Sequence, residues 1–178
     1  MVAVAIFYAD QCDKKKCTSV RMRGMEDRLP FKLFWLTSPR RIRRGSVVLT
    51  PNTDEILLPA DRPLVDQRGI TVLDCSWKQG EAYLTQSFPV GRKLPPLLAG
   101  NPVNYGRWLR LTSAEAVAAT LYIVGHKEAS LSLLELFGWG DSFLELNQAL
   151  LDSYTACSSK VEVEEAFHQL YPQEEENP

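Results

Sequence analysis

Leu94-Pro-Pro-Leu-Leu-Ala-Gly-Asn-Pro-Val-Asn-Tyr-Gly-Arg-Trp-Leu-Arg-Leu-Thr112 divides the chain into two patterns, and the fold is read from the change across it. Upstream, short apolar runs alternate with turn and helix signals. Val2–Tyr8, Phe31–Leu36, Ser46–Thr50 and Ile70–Asp74 have the length and composition of strands, with Ile56–Leu58 a shorter candidate. Between them Thr18 is placed to cap a helix running to about Asp27, and Asp61-Arg-Pro63 opens another that stops before Gly69. This alternation predicts an α/β layer with a largely parallel sheet. Downstream of Pro95-Pro96 the spacing turns helical, over 113–124, 127–137, 141–153 and 161–170, with breaks at Gly125, Gly138 and Gly140. The second half is therefore expected to be all helical, and 172–178 reads as a frayed acidic tail.

The dividing stretch itself has the composition of a site. It is rich in turn formers and surface-capable aromatics and poor in charge, which suits a loop ordered around something. Thr112-Ser-Ala-Glu115 then opens a helix with capping chemistry, whose amides are candidates to receive a polar ligand. Ligands of a parallel sheet sit at the carboxyl ends of its strands, where Thr18, Thr50 and Asp74 fall at or just past such ends.

Composition narrows the class. The chain has 178 residues, 45% hydrophobic and 24% charged, enough to bury a sizeable core. Val2–Tyr8 lacks a basic flank and is followed at once by Asp10, so it reads as a buried strand rather than a signal peptide, and no segment approaches a membrane span. Four cysteines without secretory context predict reduced thiols and a cytoplasmic protein. Cys12 and Cys17 are too few for a metal site, so no metal is expected. Residues 1–94 hold 16 Lys/Arg against 10 Asp/Glu, whereas residues 95–178 hold 4 against 12. The basic side chains cluster at Lys14, Lys15 and Lys16 with Arg21 and Arg23, and at Arg40, Arg41, Arg43 and Arg44. One such cluster is ordinarily solvated surface, but two on one half favour a phosphate backbone.

Asp74-Cys-Ser-Trp77, Ala99-Gly-Asn-Pro-Val-Asn-Tyr-Gly-Arg107, Glu115-Ala-Val-Ala-Ala-Thr120, Gly125-His126 and Phe137-Gly-Trp-Gly140 occur in that order, after Asp10–Thr18, Val47–Pro51 and Pro59-Ala-Asp61. Together they resemble the aminocarboxypropyltransferase family that completes a hypermodified pseudouridine in small-subunit ribosomal RNA. The similarity covers nearly everything except the tail. It implies a fold related to the SPOUT class, with a deep trefoil knot whose loops form an S-adenosylmethionine pocket. Three regions are expected: a basic α/β domain (1–94) with RNA and cofactor contacts, a mainly helical domain (95–171) that completes the pocket, and the tail (172–178).

The chemistry assigns roles within that resemblance. S-adenosylmethionine carries several carbons on its sulfonium, and the enzyme selects its product by presenting one of them to the nucleophile. Transfer of the 3-amino-3-carboxypropyl group requires the methyl to be covered, and Trp77 is the candidate, its ring face suiting a cation. Asp74 is the candidate to accept the proton from ring nitrogen 3 of the base, or to orient it. Adenine wants an apolar slot with main-chain partners, for which Leu49, Pro51, Leu97, Leu111 and the helix start from Thr112 to Ala116 are placed. Thr18 suits the donor carboxylate, Thr50 lines the same pocket, and Cys75 offers its backbone with an inert thiol. The expected partner is small-subunit ribosomal RNA or a pre-ribosomal subunit. Two readings compete: an RNA methyltransferase on a similar scaffold, and a non-catalytic RNA-binding assembly factor.

Overall fold

A computed structural model describes residues 1–172 except Cys12 and 76–80. Five strands, β1 (Ala3–Tyr8), β2 (Lys32–Leu36), β3 (Val47–Leu49), β4 (Ile70–Asp74) and β5 (Gly91–Arg92), form one sheet in the order β2-β1-β4-β3-β5, with every pairing parallel. Its register sets Val4 beside Ile70 and Tyr8 beside Asp74, so Asp74 stands at the carboxyl end of a central strand. The expected parallel α/β layer is therefore present. Ile56–Leu58 is not a strand: Ile56 makes a single parallel bridge to Lys93, and the fifth strand is Gly91–Arg92. A two-residue Gly-Arg strand has no period for a sequence to display.

Side-chain alternation separates the two faces of this sheet. Val4 and Ile6 point into a fully buried layer, where α1 (Thr18–Gly24) and α4 (Ser113–Ile123) pack. α2 (Arg62–Arg68) joins β3 to the adjacent β4 and α1 joins β1 to the adjacent β2, so right-handed crossovers put both helices on this face. Gly69 ends α2 with φ of 84°, and a Cβ there would collide with the Ala3 carbonyl oxygen, so only glycine allows the chain to turn directly into β4. The short helix α3 (Glu81–Leu84) has no counterpart among the sequence-based expectations; its Tyr83 ring meets Phe7 edge-on at 4.9 Å on the opposite face.

After β5 comes the loop 93–112, which carries one antiparallel bridge, Leu98 to Trp108, and from Ser113 on the regular elements among the described residues are all helices. α4 is apolar almost all round, with Val117, Ala118, Ala119, Leu121, Tyr122 and Ile123 buried, as befits a central helix rather than an amphipathic surface one. It packs on β4, on α1, on α5 (Lys127–Leu134) and on α6 (Gly140–Tyr154), while α7 (Lys160–Leu170) packs on α6. One hydrophobic cluster runs from Val4 and Ile70 through Val117 to Leu151, joining both halves of the chain. Among the described residues no helix is long and apolar enough to cross a membrane.

Candidate active site

A cavity of about 500 Å³ opens at the carboxyl ends of the central strands, where parallel sheets hold ligands. Its wall contains Leu49, Thr50 and Pro51 at the end of β3, Asp74 and Cys75 at the end of β4, Thr18 at the start of α1, and Leu111, Thr112 and Ala116 around the start of α4. Segments far apart in sequence thus converge on one space, and the sheet topology brings them there.

Each wall residue has a local cause. Thr18 is not a helix cap as expected, because Cys17 occupies that position and Thr18 is the first helical residue. Its hydroxyl instead accepts the Ala114 N–H at 3.3 Å, tying α1 to α4 and leaving the hydroxyl proton for donation. At the head of α4 the Thr112 hydroxyl accepts the Glu115 N–H at 3.4 Å, while Glu115 accepts the Thr112 N–H at 2.6 Å. The amides of Ala114 and Glu115 are therefore engaged within the protein rather than open to a ligand. Ala116 N–H donates to the Thr112 carbonyl, as helix geometry requires.

Asp74 is half-buried and accepts a hydrogen bond from the Cys17 thiol to Oδ2 at 3.2 Å, which fixes the carboxylate against the loop before α1. Beside it Cys75 is pushed up to about 11 by burial and, secondarily, by the Asp74 charge, so its thiol stays protonated at neutral pH and is a poor nucleophile. The expectation of an inert Cys75 thiol agrees with this environment. Trp77 lies outside the described residues. Leu97 is fully buried and does not line the cavity. Its carbonyl instead accepts the Leu109 N–H at 3.0 Å and places Leu109, in a left-handed conformation with φ of 58°, in the wall.

The ordered loop expected over 94–112 is held by three buried side chains, Glu115, Asn147 and Tyr154. Glu115 accepts Gly100 N–H at 2.7 Å, Asn101 N–H at 3.0 Å and the Asn101 side-chain amide at 2.9 Å, besides the Thr112 N–H and hydroxyl. Asn147 of α6 accepts Leu98 N–H and donates to the Leu98 carbonyl, each at 2.7 Å. Tyr154 donates to the Pro96 carbonyl at 2.9 Å. Gly100 packs on α6 so closely that a Cβ would approach the Phe143 backbone to 2.5 Å. Asn101 braces the turn, its side-chain oxygen accepting the N–H groups of Val103 and Asn104. Glu115 and Asn147 carry this architecture, and neither stands out by sequence except through the capping pattern of Glu115.

Lys16, Cys17, Leu84, Lys93, Leu94 and Leu109 are wall residues that the sequence does not mark as pocket-lining. Lys16 and Cys17 adjoin Thr18 in the Asp10–Thr18 motif; the others have no periodic signal.

The basic residues divide. Lys14, Lys15 and Lys16 are exposed on the turn before α1, with Lys16 at the cavity and Lys14 3.3 Å from Asp10. Arg21 lies over Phe137 at 5.1 Å and Arg23 over Trp35 at 4.7 Å, so both pack on the protein's own aromatics. Arg40, Arg41, Arg43 and Arg44 are exposed on the connection from β2 to β3, away from the cavity wall. Among the described residues no group of three or more His, Cys, Asp or Glu is arranged to hold a metal ion.

Comparison with known proteins bears on this cavity. Residues 47–171 match the family model described as "Ribosome biogenesis protein, C-terminal". The 16S rRNA aminocarboxypropyltransferase of Methanothermobacter thermautotrophicus is 42% identical over 164 residues, covering 91% of this chain and 94% of that protein. That of Methanosarcina acetivorans is 43% identical, covering 92% and 91%. The structure of the SAM-dependent rRNA:acp-transferase Tsr3 from Vulcanisaeta distributa superposes with a TM-score of 0.81 at 32% identity, over 95% of each chain. With its parallel sheet, its cavity at the strand ends and this extent of identity, the chain belongs to the 16S rRNA aminocarboxypropyltransferase family.

Proposed function

We propose that the protein transfers the 3-amino-3-carboxypropyl group of S-adenosylmethionine to ring nitrogen 3 of a pseudouridine, methylated at ring nitrogen 1, in small-subunit ribosomal RNA. One observation carries the reading: Thr18, Leu49–Pro51, Asp74, Leu111, Thr112 and Ala116 line a single cavity, in a chain of this family. Its volume and its predominantly apolar wall, from Leu49, Pro51, Val72, Leu94 and Leu111, fit a nucleoside with a short charged arm. Adenine lies against Leu49, Pro51 and Leu111, and the amino-acid arm reaches Thr18, whose hydroxyl proton is available to the carboxylate.

The base is the nucleophile. Ring nitrogen 3 forms a bond to the first methylene of the methionine arm as the bond from that carbon to sulfur breaks. The bonding pair moves onto sulfur, neutralising the sulfonium and releasing 5′-methylthioadenosine. The imide proton passes to Asp74, which the Cys17 thiol orients. Trp77 covers the methyl and so directs attack to the arm. Residues 1–94 hold RNA and donor, 95–171 complete the pocket around the 94–112 loop, and the SPOUT-like trefoil knot belongs to the same reading. A cytoplasmic site of action accords with a ribosomal substrate.

The test is incubation with donor labelled in the aminocarboxypropyl arm and ribosomal RNA lacking the modification. Label in RNA with release of 5′-methylthioadenosine is expected. Release of S-adenosylhomocysteine instead marks a methyltransferase, and RNA binding without turnover an assembly factor. Replacing Trp77 with Ala is expected to weaken donor binding in calorimetry by about 1–3 kcal/mol with the fold retained.

A further inference from the structure

The face of the sheet opposite α1, α2 and α4 carries a second groove of about 240 Å³. Its floor is Ala3 and Ala5 of β1, Phe34 and Leu36 of β2, and Thr71 of β4; its rim is Arg41, Arg43 and Arg68. Ala3, Ala5, Phe34 and Thr71 alternate along their strands with Val4, Leu33 and Val72 of the buried layer, so the groove follows from strand geometry. Among the described residues the connection from β2 to β3 and the region of α3 run on this side, and Phe34 is 42% exposed in the middle of its strand.

We infer that this groove is a second RNA contact, in which an unpaired base stacks on Phe34 while its flanking phosphates meet the arginine rim. The inference rests on the proposed action on ribosomal RNA. Three observations point to this occupant. An exposed aromatic on a strand is a stacking platform that accepts any base face. Lys32 already places its ammonium 5.3 Å from the centre of the Phe34 ring, and Arg41, Arg43 and Arg68 surround the floor, so the charge complements a polyanion. Among the described residues none of these four cations forms an ion pair, in contrast to Arg62 with Asp66 and Arg92 with Asp61. Like charges gather around the groove without a protein counter-charge: the Arg68 stem lies across the turn at Gly45, two residues from Arg43.

The position has a consequence for recognition. Phe34 is level with Ala5 and Thr71, three residues short of Asp74, a separation of roughly 10 Å along the sheet at about 3.3 Å per residue. The groove also lies on the other face from α1 and α4. RNA reaching both sites must pass around the sheet, so the groove reads the strand flanking the target nucleotide rather than the target itself. A peptide-binding groove would use the same apolar floor but has no need of so many unpaired cations.

Fluorescence anisotropy with a labelled single-stranded ribosomal RNA fragment containing the target, alongside a duplex RNA of equal length, tests this on the full chain. F34A is expected to weaken single-strand binding about tenfold, one stacking contact, with its salt dependence and duplex binding unchanged. Replacing Arg41, Arg43 and Arg68 together with Gln is expected to weaken binding and to flatten the salt dependence by about one logarithmic unit for each phosphate no longer neutralised. Donor binding by calorimetry stays at the wild-type value in both variants, which also reports their folding. Photocrosslinking of 4-thiouridine-substituted RNA is expected to mark the β2 peptide containing Phe34. Wild-type RNA affinity in both variants, or crosslinks confined to the cavity side, overturns the groove while leaving the proposed transfer intact. Absence of RNA binding by the wild-type protein overturns that reading itself.

Discussion

The 94–112 loop and the basic segments at 14–16 and 40–44 are both connections between regular elements, yet they are built on opposite principles. The loop is fastened from below: the buried Glu115 carboxylate takes Gly100, Asn101 and Thr112, and Asn147 takes both polar groups of Leu98. The basic segments keep their cations exposed, and among the described residues these meet at most a single exposed carboxylate, as Lys14 meets Asp10. Order is thus invested before binding in one region and deferred until binding in the other. A small donor binds an apolar wall that must exist beforehand, so its loop is fixed by satisfied buried polar groups. A phosphate backbone is met by long hydrated side chains that order only when it arrives.

Glu115 is where this contrast is most exposed to failure. Substitution by Ala leaves buried donors of Gly100, Asn101 and Thr112 without an acceptor, and a loss of about 3–5 kcal/mol in unfolding stability is expected from denaturant titration. Stability within about 1 kcal/mol of wild type would mean that the loop is held by its apolar contacts alone.

Asp74 refines the distinction, since it lies in the ordered wall but serves chemistry. Asp74→Asn is expected to retain donor affinity and to lose about a hundredfold or more in single-turnover transfer at neutral pH. An unchanged rate would remove the carboxylate from proton transfer. Among the deferred contacts, neutralising Lys14, Lys15 and Lys16 together is expected to weaken RNA binding and lower its salt slope by about one unit for each phosphate left unneutralised, with donor affinity and stability unmoved. A fall in stability there would show that this segment, like the loop, is structural.

The smallest effect concerns Cys75. Its folded thiol is raised to about 11 from an ordinary value near 9, so folding is favoured below the unfolded value and that contribution is lost as pH rises through the folded one. Cys75→Ser is expected to remove this part of the alkaline destabilisation between about pH 9 and 11, read as a shallower fall of melting temperature with pH. An identical pH profile would place the alkaline loss at other groups, such as Tyr154, whose hydroxyl is also raised by burial.

What could be read along the chain was what local chemistry writes in short range. Val4 and Ile6 alternate with Ala3 and Ala5, the α4 helix begins with a Thr112–Glu115 capping pair, and Pro63 and Gly69 bracket α2, so strands, helices and the parallel layer follow from period and punctuation. The motifs around Thr18, Thr50, Asp74 and Thr112 also led to half of the cavity wall, because each lies at an element end where backbone and side chain are both committed. Tertiary structure decided the rest. β5 has no pattern of its own and exists because Val48 and Leu49 offer it an edge. Glu115 reads as an ordinary capping residue until folding brings Gly100 and Asn101 to its carboxylate, and Leu97 is turned into the core while Leu109 takes its expected place in the wall. The groove on Phe34 likewise depends on which sheet face the helices leave open. Such features are set by contacts between residues distant in sequence, whose partners only the closed chain supplies, whereas period and capping act within a few residues and are complete before folding begins.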